Sequence, residues 1–116
     1  DLGRLDDQGY LYIDGRREDL IISGGMNVYP AEIEAEILSF RGVTDVAVFG
    51  VTDEQWGQRV CAAIVGNVDH ERLKQWLRQD IAGYKRPKEI YSVNELPRTA
   101  SGKVQRLRVA ALLGLE

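Results

Sequence analysis

The chain has 116 residues, 44% of them hydrophobic and 28% charged, which suits one compact domain with a modest core and excludes a disordered or low-complexity chain. A net charge of −3 at pH 7 gives no global case for nucleic-acid binding, so any anion site has to be local. The single cysteine excludes an intramolecular disulfide and a cysteine-built metal site, and no apolar run reaches membrane-spanning length.

The first residues read as a hairpin: Gly3-Arg4-Leu5, a polar Asp6-Asp7-Gln8-Gly9 turn, then Tyr10-Leu11-Tyr12-Ile13. With no lead-in and no initiating methionine, this opening predicts a domain of a longer polypeptide. Asp19 to Ile22 reads as a short strand ended by Ser23-Gly24-Gly25, where paired glycines allow positive φ or a close backbone approach. Pro30 opens a helix at the position where its missing N–H costs nothing. Glu32, Glu34 and Glu36 suit the early-turn dipole, Ile33, Ile37 and Leu38 form its apolar stripe, and Gly42 stops it. Val46 to Phe49 and Val60 to Val65 are continuous apolar runs, expected to be buried strands, separated by a polar loop over 52–58 that carries Trp56. Cys61, inside the second run, is expected to be a buried structural thiol, and an unpaired thiol fits the reduced cytoplasm. A helix is predicted over 69–82, with Asp69 as N-cap, Gly83 as stop, and Leu73, Trp76, Leu77 and Ile81 on its inner face. His70, alone at that helix start, carries no catalytic or metal expectation. A basic loop, Tyr84-Lys85-Arg86-Pro87-Lys88, a strand over 89–93 and a last helix over 104–113 complete the chain. The order predicts an α+β fold of the two-layer type, a small sheet flanked by two to three helices behind an N-terminal hairpin.

Between the last strand and the last helix stands PRTASGKVQR, residues 97–106. Lys103 ends a run of small polar residues with little apolar area to fix it. A phosphate-binding P-loop needs a glycine five positions before the Gly-Lys pair and Ser/Thr after it. Pro97 and Val104 occupy those positions, so that reading fails. Gly-Lys alone leaves two alternatives, a solvated loop lysine or an ammonium delivered to a site.

GRREDLIISGGMNVYPAEIE, residues 15–34, together with PRTASGKVQR, resembles the C-terminal domain of the adenylate-forming enzymes, the superfamily of acyl-CoA synthetases, peptide-synthetase adenylation domains and luciferases. The likeness covers essentially the whole chain. It implies residues 1–18 as hairpin and hinge region, 19–116 as a mobile lid, and a large N-terminal domain lying outside the sequence. It also implies a two-step reaction: a carboxylate and ATP give an acyl-adenylate and pyrophosphate, and a thiol then displaces AMP. Lys103 matches the family's catalytic lysine, a compact cation on a long stem that has to withdraw before the thiol arrives. Glu18 matches the hinge, where relatives carry aspartate or lysine. Asp1 matches the aspartate that accepts from the ribose hydroxyls, and Arg16 an arginine near ribose and phosphates. Gly24 and Gly25 fall on the turn beside the pantetheine tunnel. Trp56, Tyr84, Arg86 and Lys88 match the region that meets the CoA nucleotide, Arg86 and Lys88 as phosphate ligands, Trp56 and Tyr84 as packing or stacking groups.

The plainer readings stay open beside these. Arg16 pairs with Asp14 or Asp19, Glu18 is a solvated charge, and 84–88 is a solvated basic face. Carrier-protein-dependent adenylation domains usually read Tyr-Met-x-Pro at the basic loop and Asn-Gly-Lys at the lysine, so this chain departs toward free CoA. The expected function is therefore the C-terminal domain of a cytoplasmic acyl- or aryl-CoA synthetase that uses ATP and CoA, with Mg2+ held elsewhere in the full enzyme and no turnover by this domain alone. A carrier-protein-loading adenylation domain and a non-catalytic nucleic-acid-binding module are the alternatives.

Overall fold

The computed structural model describes residues 20–81 and 83–115, without the side chains of Asp80 and Tyr84. The hairpin expected at residues 3–13 lies outside the described residues.

Strands β1 (Ile21–Ser23) and β2 (Met26–Val28) pair antiparallel, Ile21 opposite Val28 and Ser23 opposite Met26. The second of these strands has no counterpart in the sequence expectations, because Met26-Asn27-Val28 is too short to show alternation. Gly24 and Gly25 form the turn at φ 60° and 82°. A two-residue hairpin of matching twist needs positive φ at both central positions, which glycine adopts at little steric cost.

Helix α1 (Pro30–Leu38) starts on its proline as expected. Its buried face is Pro30, Ile33 and Ile37, whereas Leu38 stays half exposed. Leu38 follows Ile37 by a third of a turn and so points away from the core. The helix stops at a Ser39 cap before Gly42, and the Ser39 hydroxyl donates to the Glu36 carbonyl at 2.7 Å.

Strands β3 (Asp45–Asp53) and β4 (Gly57–Val65) make a nine-residue antiparallel ribbon. The polar loop expected over 52–58 shrinks to Glu54, Gln55 and Trp56. Asp53 Oδ1 accepts from the N–H groups of Gln55 and Trp56 at 2.8 and 3.0 Å, closing the turn tightly enough for Thr52 to pair with Gln58.

Helix α2 (His70–Asp80) is capped by Asp69, whose carboxylate accepts from the N–H groups of Glu71 and Arg72. Ile81, extended at φ −123° and ψ 133°, ends it two residues before the predicted Gly83 and turns its side chain into the core. A 3-10 turn (Gly83–Lys85) leads to β5 (Glu89–Ser92), parallel to β4. Helix α3 (Arg106–Leu112) begins later than expected, because Val104 is taken up in a bridge with Arg98.

The larger sheet has the order β3-β4-β5, and strand alternation divides the core in two. Val46, Val48, Val60, Ala62, Ile64 and Ile90 face the β1–β2 hairpin, α1 and α2, while Ala47, Phe49, Val51, Cys61 and Ala63 face α3 and Leu96. Burial on both faces explains why these strands read as unbroken apolar runs. Trp76 packs against the first cluster, 5.3 Å edge-on to Phe40, as its place in the helix stripe predicts. At the β3 edge, Glu34 on α1 accepts from the Val48 N–H at 2.8 Å and from Arg106 Nε and Nη2 at 2.7 and 2.6 Å. One carboxylate thus caps an open strand edge and fastens α3 to α1.

Candidate functional site

Three turns distant in sequence meet around Trp56. The N–H of Gly24 donates to the Trp56 carbonyl at 2.8 Å, and the Ile22 N–H donates to Gln58 Oε1 at 2.9 Å. These bonds dock the β1–β2 hairpin on the turn end of the β3–β4 ribbon. A Cβ on Gly24 would lie 3.1 Å from the indole ring, whereas one on Gly25 would meet nothing within 4 Å. The ammonium of Lys88 lies 4.5 Å from the centre of the Trp56 ring, within cation–π range. Gly24, Gly25, Trp56 and Lys88, grouped by the sequence for one ligand, therefore form one surface.

The basic loop is divided in its roles. Lys85 is paired with Glu32 at 3.2 Å. Arg86 spends its Nε on the Ile81 carbonyl at 2.9 Å, which ties the loop to the end of α2, and Arg86 lines a cleft of about 250 Å³ with Lys74, Leu77, Arg78, Gly83, Pro87 and Lys88. The backbone of Tyr84 belongs to the 3-10 turn, and its side chain lies outside the described part. Lys74 and Arg78 were not singled out from the sequence. Their signal was there, since the two cations stand one helical turn apart on either side of the buried Leu77.

Lys103 is exposed, on a loop far better held than its composition suggests. The Thr99 N–H donates to the Lys103 carbonyl at 2.8 Å, the Gly102 N–H to the Thr99 carbonyl at 2.9 Å, and the Gln105 N–H to the Pro97 carbonyl at 2.9 Å. Thr99 Oγ1 accepts from the Lys103 N–H at 3.2 Å. Arg98 clamps the loop from outside, donating to the Gly102 carbonyl at 2.8 Å and pairing with Asp45 at the start of β3. The small residues thus make a tight closed turn that carries the exposed Lys103. Asp45 and Trp56 are at opposite ends of the nine-residue ribbon, which at strand rise separates the two surfaces by roughly 27 Å.

Asp1, Arg16 and Glu18 lie outside the described residues. Cys61 is fully buried, and burial, with the neighbouring Glu89 carboxylate, pushes its thiol up to about 12. A thiol held protonated is no nucleophile at neutral pH, in line with the structural role expected of it. Glu89 in turn accepts from the Tyr91 hydroxyl at 2.7 Å and Arg59 Nε at 3.1 Å, which holds its carboxyl below the usual range. His70 Nε2 shares a 2.8 Å hydrogen bond with Ser92 Oγ, linking α2 to β5. Among the described residues no three His, Cys, Asp or Glu side chains converge as a metal cradle, and no helix is long and apolar enough to cross a membrane.

A small mixed sheet covered on both faces, with an exposed lysine turn at one end and a glycine–tryptophan–lysine surface at the other, defines a domain that presents two separate polar surfaces. The chain belongs to the AMP-binding enzyme C-terminal domain family, whose model matches residues 32–103. It is 50% identical over 117 residues to a 2-succinylbenzoate–CoA ligase of Geobacillus sp. (strain WCH70), covering 97% of this chain and 24% of that protein. It is 44% identical over 107 residues to a long-chain-fatty-acid–CoA ligase of Mycobacterium tuberculosis, covering 90% of this chain and 21% of that one. The solved o-succinylbenzoate CoA synthetase from Bacillus subtilis, in complex with its acyl-adenylate intermediate, superposes with a TM-score of 0.81 at 40% identity, over 90% of this chain and 22% of the other. The chain thus spans less than a quarter of the length of these relatives.

Proposed function

We propose that this chain is the C-terminal domain of an ATP-dependent acyl- or aryl-CoA synthetase, acting with a large N-terminal adenylation domain. In the first half-reaction the carboxylate of the acid attacks the α-phosphorus of ATP, pyrophosphate departs, and an acyl-adenylate forms. Two anions approach each other in that step. An ammonium aimed at the reacting oxygens in a water-poor site stabilises the transition state by about 3 kcal/mol for one donor. Lys103, exposed on a rigid turn, suits this role. In the second half-reaction the CoA sulfur attacks the acyl carbon and AMP leaves. Gly24 and Gly25 then flank the pantetheine, while Trp56, Tyr84, Arg86 and Lys88 meet the nucleotide end.

The observation that carries this reading is the separation of the two surfaces along the β3–β4 ribbon. Sites roughly 27 Å apart cannot serve one reaction centre in one orientation, whereas a domain that rotates between half-reactions presents each in turn. Glu18 is the proposed hinge, and Asp1 and Arg16 the proposed ribose and phosphate contacts, on the strength of the sequence motifs. In this reading the Mg2+ that neutralises the ATP phosphates is held by the large domain. The enzyme is placed in the cytoplasm, and this chain by itself turns nothing over.

Lys103→Ala in the intact enzyme tests the proposal. Carboxylate-dependent pyrophosphate exchange should fall by about a hundredfold or more, while CoA transfer from a preformed acyl-adenylate stays within a few-fold of the parent. Equal damage to both half-reactions would make the lysine structural and overturn its assignment.

A further inference from the structure

The main-chain polar groups on both sides of the Lys103 Cα are all engaged. The Gly102 carbonyl, on the peptide that enters Lys103, accepts from Arg98 Nη1 at 2.8 Å. The N–H of that same peptide donates to Thr99 Oγ1 at 3.2 Å, and the Lys103 carbonyl accepts from the Thr99 N–H at 2.8 Å. The peptide is therefore gripped from both sides, and Gly102, at φ 94°, supplies the bend that presents it to Arg98. Arg98 is anchored in its turn. Its Nη2 pairs with Asp45 Oδ2, and Asp45 Oδ1 accepts from the Val46 N–H at 3.0 Å. Asp45 is the first residue of β3 and stands opposite Val65 of β4. A continuous run of contacts thus leads from the ribbon through Asp45 and Arg98 to the peptide that aims the Lys103 stem. The Arg98 and Asp45 side chains keep 41% and 30% of their exposure, and ion pairs this exposed contribute little to stability. A planar guanidinium that spans a carboxylate and a carbonyl in fixed directions orients more than it stabilises.

We infer that Arg98, backed by Asp45, is a positioning residue for acyl-adenylate formation: it fixes the direction in which Lys103 leaves its turn. The inference rests on the proposed adenylation role of Lys103. A small rotation of the Gly102–Lys103 peptide is amplified along the four-carbon stem and displaces the ammonium from the reacting oxygens. Electrostatic stabilisation of a transition state depends on donors set in place beforehand. A misplaced cation therefore lowers kcat of adenylation and leaves substrate binding alone.

The test is a set of variants of the intact enzyme. Arg98→Ala should lower kcat of carboxylate-dependent pyrophosphate exchange by about tenfold, less than the hundredfold that a full 1 Å misplacement costs. KM for ATP and for the acid, CoA transfer from a preformed acyl-adenylate, and the urea midpoint should all stay near the parent values, which also shows that the variant is folded. Because Arg98 acts through Lys103, the double variant Arg98→Ala/Lys103→Ala should match Lys103→Ala within about twofold, the non-additivity of residues that share one function. Arg98→Lys, which keeps the charge without the planar fork, should give an intermediate rate. Asp45→Asn, which keeps an acceptor, should slow exchange less than Arg98→Ala. An unchanged exchange rate in Arg98→Ala overturns the inference, as does a full extra loss in the Lys103→Ala background or a rate that falls only in step with the urea midpoint. Failure of the underlying reading looks different: Lys103→Ala itself would then leave pyrophosphate exchange intact, and the inference would fall with it.

Discussion

Gly24 and Gly25 are neighbours with the same left-handed backbone and different surroundings. At Gly24 an added Cβ strikes the Trp56 ring at 3.1 Å, and at Gly25 it enters open space. Gly24→Ala should therefore cost about 1–2 kcal/mol from backbone strain alone, with further loss from displacing Trp56, read as a lowered urea midpoint. Because the displaced indole carries Lys88, CoA transfer should slow while pyrophosphate exchange is spared. Gly25→Ala should show the strain without displacing the indole. Lys103 illustrates the reverse relation between sequence and structure. Its neighbours Thr99, Ala100, Ser101 and Gly102 look like a loose connector, yet four hydrogen bonds and the Arg98 clamp fix their backbone. Composition does not reveal the clamp, because it needs Arg98 to reach Asp45 across the fold.

At the scale of elements, Glu34 joins three of them. Its side chain and that of Arg106 retain only 12% and 18% of their exposure, so the pair is largely withdrawn from water. Removing one partner from such a pair costs about 3 kcal/mol, the lower end of the range for buried pairs. Glu34→Ala should show that loss on urea unfolding, and Glu34→Gln, which keeps an acceptor, should recover part of it. Because α3 follows directly on the lysine turn, loosening it should slow adenylation more than CoA transfer. In the sequence Glu34 passes for one of three helix-dipole carboxylates beside Glu32 and Glu36. Its edge-capping of Val48 requires α1 to lie along β3, which nothing local encodes. Element ends behaved alike: Asp69 capped α2 as read, since side-chain capping is a local interaction, while Ile81 and Val104 ended or delayed helices because a buried site and a bridge claimed them.

The whole molecule carries a pH signature through the β4–β5 cluster. The Tyr91 hydroxyl, and then Arg59, hold the Glu89 carboxyl below its ordinary range. A folded value below the unfolded one stabilises the protein above the ordinary glutamate pKa of about 4.3, and that contribution vanishes as pH falls through the folded value. Glu89→Gln should unfold at lower urea than the parent at pH 7, with the gap closing in acid. Cys61 sets the alkaline side. Its thiol, pushed up to about 12, stabilises fully below the ordinary thiol range, and the contribution is lost as pH rises toward 12. Urea midpoints across pH should therefore form a plateau that falls at both ends. A parent protein flat through the acid limb would contradict the Glu89 assignment.

By itself the sequence determined the strand cores, the helix starts at Pro30 and Asp69, and the family, because apolar runs, caps and a lysine motif are local patterns. It also gathered Gly24, Trp56 and Lys88 by resemblance, without a reason for their meeting. Only the tertiary structure decided that Trp56 is the common contact, that Lys74 and Arg78 border the same cleft, and that the lysine turn is anchored at the far end of the ribbon. Those relations rest on through-space contacts between segments distant in sequence, and local propensity has no term for them.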